Sequence, residues 1–146
     1  MTKLERGMWV VICDGRKWLL FENIGSAAAP KLSLLDSREQ ENPPTRALGS
    51  DAPPRVQESI GHARSALAQT DWHDAAERAF LTNLVQHLDA SLRASEGEKL
   101  LVIAPPRALG MLRKSYSDRV RKALRTEIDK DLTKMPVSEI ERTLSA

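Results

Sequence analysis

A chain of 146 residues, 41% apolar and 29% charged, is long enough to bury a core without help from metal or disulfide. Its net charge of +2 excludes a polycation, and a single cysteine, Cys13, excludes an intramolecular disulfide and fits a reducing compartment, so a cytoplasmic location is expected. The longest apolar runs, 18–21 and 100–104, fall far short of the roughly 20 residues of a spanning helix, and Met1 to Gly7 lacks the apolar stretch of a signal peptide, so neither membrane insertion nor export is expected.

The first elements are extended. Residues 8–13 (MWVVIC) and 17–23 (KWLLFEN) are β-branched or aromatic runs on either side of Asp14-Gly15-Arg16, and the Asp-Gly pair predicts a tight hairpin with positive φ. Pro30 ends a small, flexible connection, after which residues 31–37 (KLSLLDS) complete a three-strand meander. Because the first strand is apolar almost throughout, both of its faces should be covered, which places it centrally in the sheet. From 38 to 69 the pattern changes: Pro43, Pro44, Pro53 and Pro54, with Gly49 and Gly61, predict a long loop. Loops of such length are recognition elements or passive insertions, and a short helix over 56–67 is compatible with this one.

Thr70 or Asp71 then caps a helix of about 22 residues in which Trp72, Ala76, Phe80, Leu84, Leu88 and Leu92 recur every four positions. Asp71, Asp74 and Glu77 place acid in its first turn, as the macrodipole favours, and the helix ends before Gly97. Residues 99–104 (KLLVIA) form a short buried strand, and Pro105-Pro106 leads into a helix over 107–116 with Leu109 and Leu112 inward. Residues 123–128 form a last strand with Leu124, Thr126 and Ile128 alternating against Arg125 and Glu127. Pro136 opens a final helix over 137–145 with Val137, Ile140 and Leu144 on one side. The order β-β-β-α-β-α-β-α describes one α/β domain over residues 1–146. It is a mixed five-stranded sheet, a three-strand meander followed by β-α-β crossovers, flanked by helices in a ribonuclease-H-like order.

Chemistry-bearing residues are sparse. A metal-dependent nuclease on such a sheet needs converging carboxylates with an acid on the central strand; residues 9–13 hold none, and Asp14 is explained by the turn. His62, His73 and His87 stand at no zinc-ligand spacing and are expected to be solvated. There is no nucleophile elbow or phosphate loop, and Cys13 within an apolar strand is expected to be inert, so no metal, cofactor or catalytic residue is assigned. Charge is more informative. Arg107, Arg113, Lys114, Arg119, Arg121, Lys122 and Arg125 face one acid, Asp118, so this segment carries +6 and the rest of the chain −4. Such a run is either a solvated face or a phosphate-binding surface. With Tyr116 its only aromatic, any RNA contact would run through the nucleic-acid backbone and be salt-sensitive.

Thr70-Asp71-Trp72-His73, Phe80, the run 101–111 (LVIAPPRALGM) followed by Leu112-Arg113, and Glu127 to Thr133 (EIDKDLT) together resemble the bacterial host attachment protein family over nearly the whole chain. The segments Ala-Pro-Pro-x-x-Leu-Gly-x-Leu-Arg and Lys-Asp-Leu-Thr are its most specific parts. The family is in turn similar to the middle domain of archaeo-eukaryotic release factors, which implies the same fold. That domain's Gly-Gly-Gln tip would fall within 38–69; here no two glycines are adjacent, and Gln40, Gln57 and Gln69 have no glycine neighbour. The resemblance therefore implies a non-catalytic binding protein that serves bacterial attachment to host cells indirectly, through a ribosome, RNA or protein partner. Two alternatives stay open: a ribosome-rescue peptidyl-tRNA hydrolase with a divergent tip using Gln57 or Gln40, and a protein-protein scaffold.

Overall fold

Trp9–Cys13 has no charged side chain, and a strand with nothing to show to water must be covered on both faces. In the computed structural model, which describes residues 4–40, 58–95 and 97–145 (of 58–72 the backbone alone), this strand, β1, lies third of five. On one side it pairs antiparallel with β2 (Lys17–Asn23), which pairs antiparallel with β3 (Leu32–Glu39). On the other it pairs parallel with β4 (Leu100–Ala104), which pairs parallel with β5 (Leu124–Asp129). Among the described residues the helices are α1 (Glu58–Ala94), α2 (Pro106–Ser115), α3 (Asp118–Ala123) and α4 (Val137–Leu144). The expected mixed α/β sheet of a meander followed by crossovers is thus the architecture found.

Alternation along β1 divides the core in two. Trp9, Val11 and Cys13 meet Leu84, Leu88 and Leu92 of α1 together with Leu109, Leu112 and Val120. Val10 and Ile12 face the other way, with Phe21, Leu101 and Ile103, under Ile140 of α4, Leu132 and Leu4. Leu81 and Val85, between the four-residue repeats of the sequence, widen the buried stripe of α1, because a helix laid on a sheet buries a band and not a single row.

Several expectations change. The Asp14-Gly15 hairpin forms, but its turn needs no positive φ; among the described residues only Gly7 and Gly97 have one. Instead Asp14 Oδ1 accepts from the N–H groups of Arg16 and Lys17 at 2.7 and 2.8 Å, while Asp14 N–H donates to the Lys17 carbonyl. The predicted loop to residue 69 is shortened at both ends. β3 continues to Glu39, and α1 begins at Glu58, so Thr70 and Asp71 lie inside a helix instead of capping it. The four prolines and Gly49 of the predicted loop, and Gln57, lie outside the described residues. Gly97, with φ +86°, stands just past the end of α1, as predicted.

A short helix, α3, was not anticipated. Ser117 caps it by accepting from the Val120 N–H at 3.2 Å, and the Ser-Asp pair at 117–118 is the local signal for it. The even alternation expected for β5 fails at one residue. Leu100 pairs with Leu124 but Leu101 pairs with Thr126, so Arg125 is an extra residue in the ladder. Leu124 therefore packs against the α1 side and Ile128 against the α4 side.

Candidate functional site

The seven cations of 107–125 are distributed by α2, α3 and β5, and their partners come from α1 and β5. Arg107, in the first turn of α2, pairs with Asp74 and with Glu77, at 3.2 Å for the latter. Both carboxylates lie mid-helix in α1 and fasten α2 to it, in place of the dipole role expected of a first turn; Glu77 first and Asp74 second raise the Arg107 pKa. The Glu77 side chain also passes over the hairpin, where a Cβ on Gly15 would lie 2.8 Å from its Cγ and Cδ. This close approach is what the glycine of the Asp-Gly pair allows.

Arg113 reaches β5, with its Nε 2.9 Å and its Nη2 2.8 Å from Glu127 Oε1. The hydroxyl of Tyr116 donates to the second oxygen of Glu127 at 2.7 Å, and burial, with this carboxylate beside it, pushes the phenol pKa far up. Arg119 Nη1 lies 3.3 and 3.2 Å from the two oxygens of Asp89 on α1. Ser117 donates to the same carboxylate at 2.7 Å. That hydrogen bond, helped by Arg119 and Arg93, holds the Asp89 pKa below the usual carboxylate range. Arg125 Nη1 donates to the carbonyls of Lys122 (2.7 Å) and Ala123 (3.3 Å), closing the end of α3.

Lys114, Arg121 and Lys122 are exposed and have no ion pair or side-chain hydrogen bond among the described residues. The structure therefore does not gather all seven into one patch. Asp74 and Asp89 are fifteen residues apart on α1, about 22 Å at 1.5 Å per residue, so Arg107 meets α1 near its middle and Arg119 near its C-terminal end. Arg119, Lys122 and Arg125 instead share an open cleft of about 600 Å³ with Arg93, Asp89 and Glu98, between the end of α1 and the α3–β5 junction. Burial and the nearby Glu22 raise the Glu98 pKa. Sequence reasoning missed the acids that neutralise the segment, Asp74, Glu77, Asp89 and Glu127, because no spacing along the chain relates them to it.

The remaining sequence candidates have structural partners. Asp14 Oδ2 accepts from Thr133 Oγ1 at 3.2 Å, so the turn carboxylate ties the hairpin to the segment before α4. No group of three or more His, Cys, Asp or Glu residues among those described could hold a metal ion. Cys13 is buried, and its thiol pKa is pushed far up by that burial, with Asp14 and Asp131 adding to it, so the nucleophilic thiolate is disfavoured. His87 departs from the expectation of a solvated ring: Nε2 lies 3.1 Å from Asp36 Oδ2 on β3, and the imidazole leans on Trp18 with ring centroids 5.0 Å apart. His73 is half-buried on α1, and the side chain of His62 lies outside the described residues. Gln40 is placed by its backbone, whose N–H donates to the Arg16 carbonyl.

Among the described residues, no helix is long and apolar enough to cross a membrane. No curated protein matches this chain. One family model does, over residues 9–144, a span that takes in all five strands, α2, α3, α4 and every cation of the segment. The chain belongs to the family described as protein required for attachment to host cells.

Proposed function

We propose that this member of the host attachment family is a non-catalytic cytoplasmic binding protein that engages an RNA backbone, that of the ribosome in the first instance, and serves attachment indirectly. The observation that carries the reading is the trio Lys114, Arg121 and Lys122. These exposed cations have no partner among the described residues, while Arg107, Arg113 and Arg119 are taken up by acids. Lys122 lines the cleft that also holds Arg93, Arg119 and Arg125 with Asp89, Glu98 and Asp118; Arg93 and Arg119 are paired to Asp89 and Arg125 is held by backbone carbonyls, so Lys122 is the cation of that cleft whose side chain has no partner among the described residues. An ammonium or guanidinium of this kind reads charge and spacing but not base identity, so the contact is one of backbone and shape. The release-factor kinship that the sequence resemblance implies is what favours a ribosomal partner. The missing Gly-Gly-Gln tip and the raised pKa of buried Cys13 support binding without bond cleavage.

The test is co-sedimentation of the purified protein with ribosomes, and its binding to single-stranded RNA, over a range of salt. Replacing Lys114, Arg121 and Lys122 by alanine should weaken binding and lower the slope of log K against log salt by about 2, at roughly 0.7 per phosphate contact for single strands. Arg107→Ala, against the middle of α1 and already paired with Asp74 and Glu77, should leave the slope as it is. Association unchanged by the triple substitution rejects the reading, and release of nascent peptide from stalled ribosomes by the purified protein would favour the hydrolase instead.

A further inference from the structure

Among the described residues, the face of the sheet opposite α1 carries one helix of eight residues, and they leave part of it open. There a groove of about 410 Å³ runs between the β2–β3 half of the sheet and the segment leading into α4. Its floor is Leu19, Phe21 and Leu34, and its opposite wall is Met135, Pro136 and Val137. Leu34 is 54% exposed and Val137 42%, two of the four large apolar side chains that the described residues leave most open to water. A third, Leu35, is the extra residue of the bulge in β3, next to the groove. The charged residues lining the groove are Lys17 and Lys134; no carboxylate lines it, and neither lysine has an ion pair or side-chain hydrogen bond among the described residues. An apolar trough flanked by two unneutralised ammonium groups is complementary to an apolar ridge flanked by acids.

We infer that this groove docks an acidic amphipathic helix of a partner protein, with apolar side chains on Leu34 and Val137 and carboxylates reaching Lys17 and Lys134. The geometry favours a helix over an added strand. The edge of β3 is already partly used: the N–H of Leu32 donates to Glu141 of α4 at 2.7 Å, the N–H of Ser37 to Asp36 at 2.8 Å, and the bulge breaks the ladder between them. A strand seeking backbone partners there would find them blunted, whereas a helix needs side-chain contacts alone. This surface lies on the face of the sheet away from α1 and is independent of the cationic segment.

The experiment uses the full chain and a synthetic helical peptide with leucines at i, i+3, i+4 and i+7 flanked by glutamates. Its control is the same peptide with every glutamate replaced by lysine. Amide shifts followed by NMR should move at Leu19, Leu34, Lys134 and Val137 with the acidic peptide and not with the basic one. Leu34→Glu, at an exposed position, should weaken binding about tenfold or more by removing an apolar contact and setting a carboxylate that repels the peptide's glutamates and competes for the two lysines. Lys17→Ala with Lys134→Ala should weaken it less and reduce its salt dependence. The inference is overturned if the acidic peptide moves no groove residue at about 1 mM, the weakest affinity worth assigning to a site. Equal binding of both peptides overturns it too. So does a groove that responds to phosphatidylglycerol vesicles but not to the peptide, which would make the occupant a lipid surface.

Discussion

The two faces of the sheet bury similar side chains under very different covers. On one, the 37-residue α1 with α2 and α3 closes over Val11, Leu20 and Val102, and ion pairs from Arg107, Arg113 and Arg119 rivet the edges. On the other, the eight-residue α4 and the segment before it close over Val10, Ile12 and Ile103 and leave Leu34 and Val137 in water. The comparison teaches how the fold disposes of charge and of apolar surface on its two faces. Three of the arginines on the heavily covered face are spent on holding helices in place, while Lys114, Arg121, Lys122 and Arg78 of α1 stay exposed without an ion pair among the described residues. The thinly covered face keeps apolar surface and two idle lysines.

The largest effect should come from core truncation, which tests whether both faces support one cooperative unit. Leu84→Ala under α1 and Ile140→Ala under α4 both remove fully buried side chains and should each cost about 2–5 kcal/mol, with Ile140→Ala nearer the low end because a short helix can settle into the space. Urea denaturation followed by fluorescence and by circular dichroism reads this. Coincident transitions with a common slope are expected, and loss of α4 without loss of α1 would mean that the faces unfold separately.

A smaller effect isolates the rivets. Ser117→Ala removes the cap of α3 and the hydrogen bond to Asp89 and should cost about 1 kcal/mol near neutral pH. Asp89 has a folded pKa below its unfolded value of about 3.9, so its contribution is present above that pH and is lost as pH falls through the folded pKa. Removing Ser117, the largest cause of that depression, raises the folded pKa toward the unfolded one. The stability gap between wild type and variant should therefore narrow on acidification below pH 4 or so, and NMR titration of Asp89 should show the upward shift. A constant gap across that range would mean that the hydroxyl acts as a cap alone.

The smallest effect sharpens the contrast between covered and open apolar residues. Leu34→Ser should change stability by no more than about 0.5 kcal/mol, since its side chain already faces water. A loss comparable with that of Leu84→Ala would show Leu34 to be covered in solution, most simply by a second copy, and analytical ultracentrifugation would then register a dimer.

Local patterning along the chain determined much of this protein. The unbroken apolar run of β1 required a central strand, the four-residue recurrence from Phe80 to Leu92 required a helix packed on the sheet, and Pro105-Pro106 and Pro136 marked the starts of α2 and α4. These features were legible because burial on a strand or helix face repeats with the period of the element itself. Tertiary structure alone decided the rest. The bulge at Arg125 sent Leu124 and Ile128 to opposite faces, the approach of Glu77 gave Gly15 its reason, and acids distant in sequence cancelled Arg107, Arg113 and Arg119 but not Lys114, Arg121 and Lys122. Charge acts through space and is neutralised by whatever folding brings within a few ångströms, so a run of cations in a sequence records how many charges there are, and only the packed helices decide which remain free.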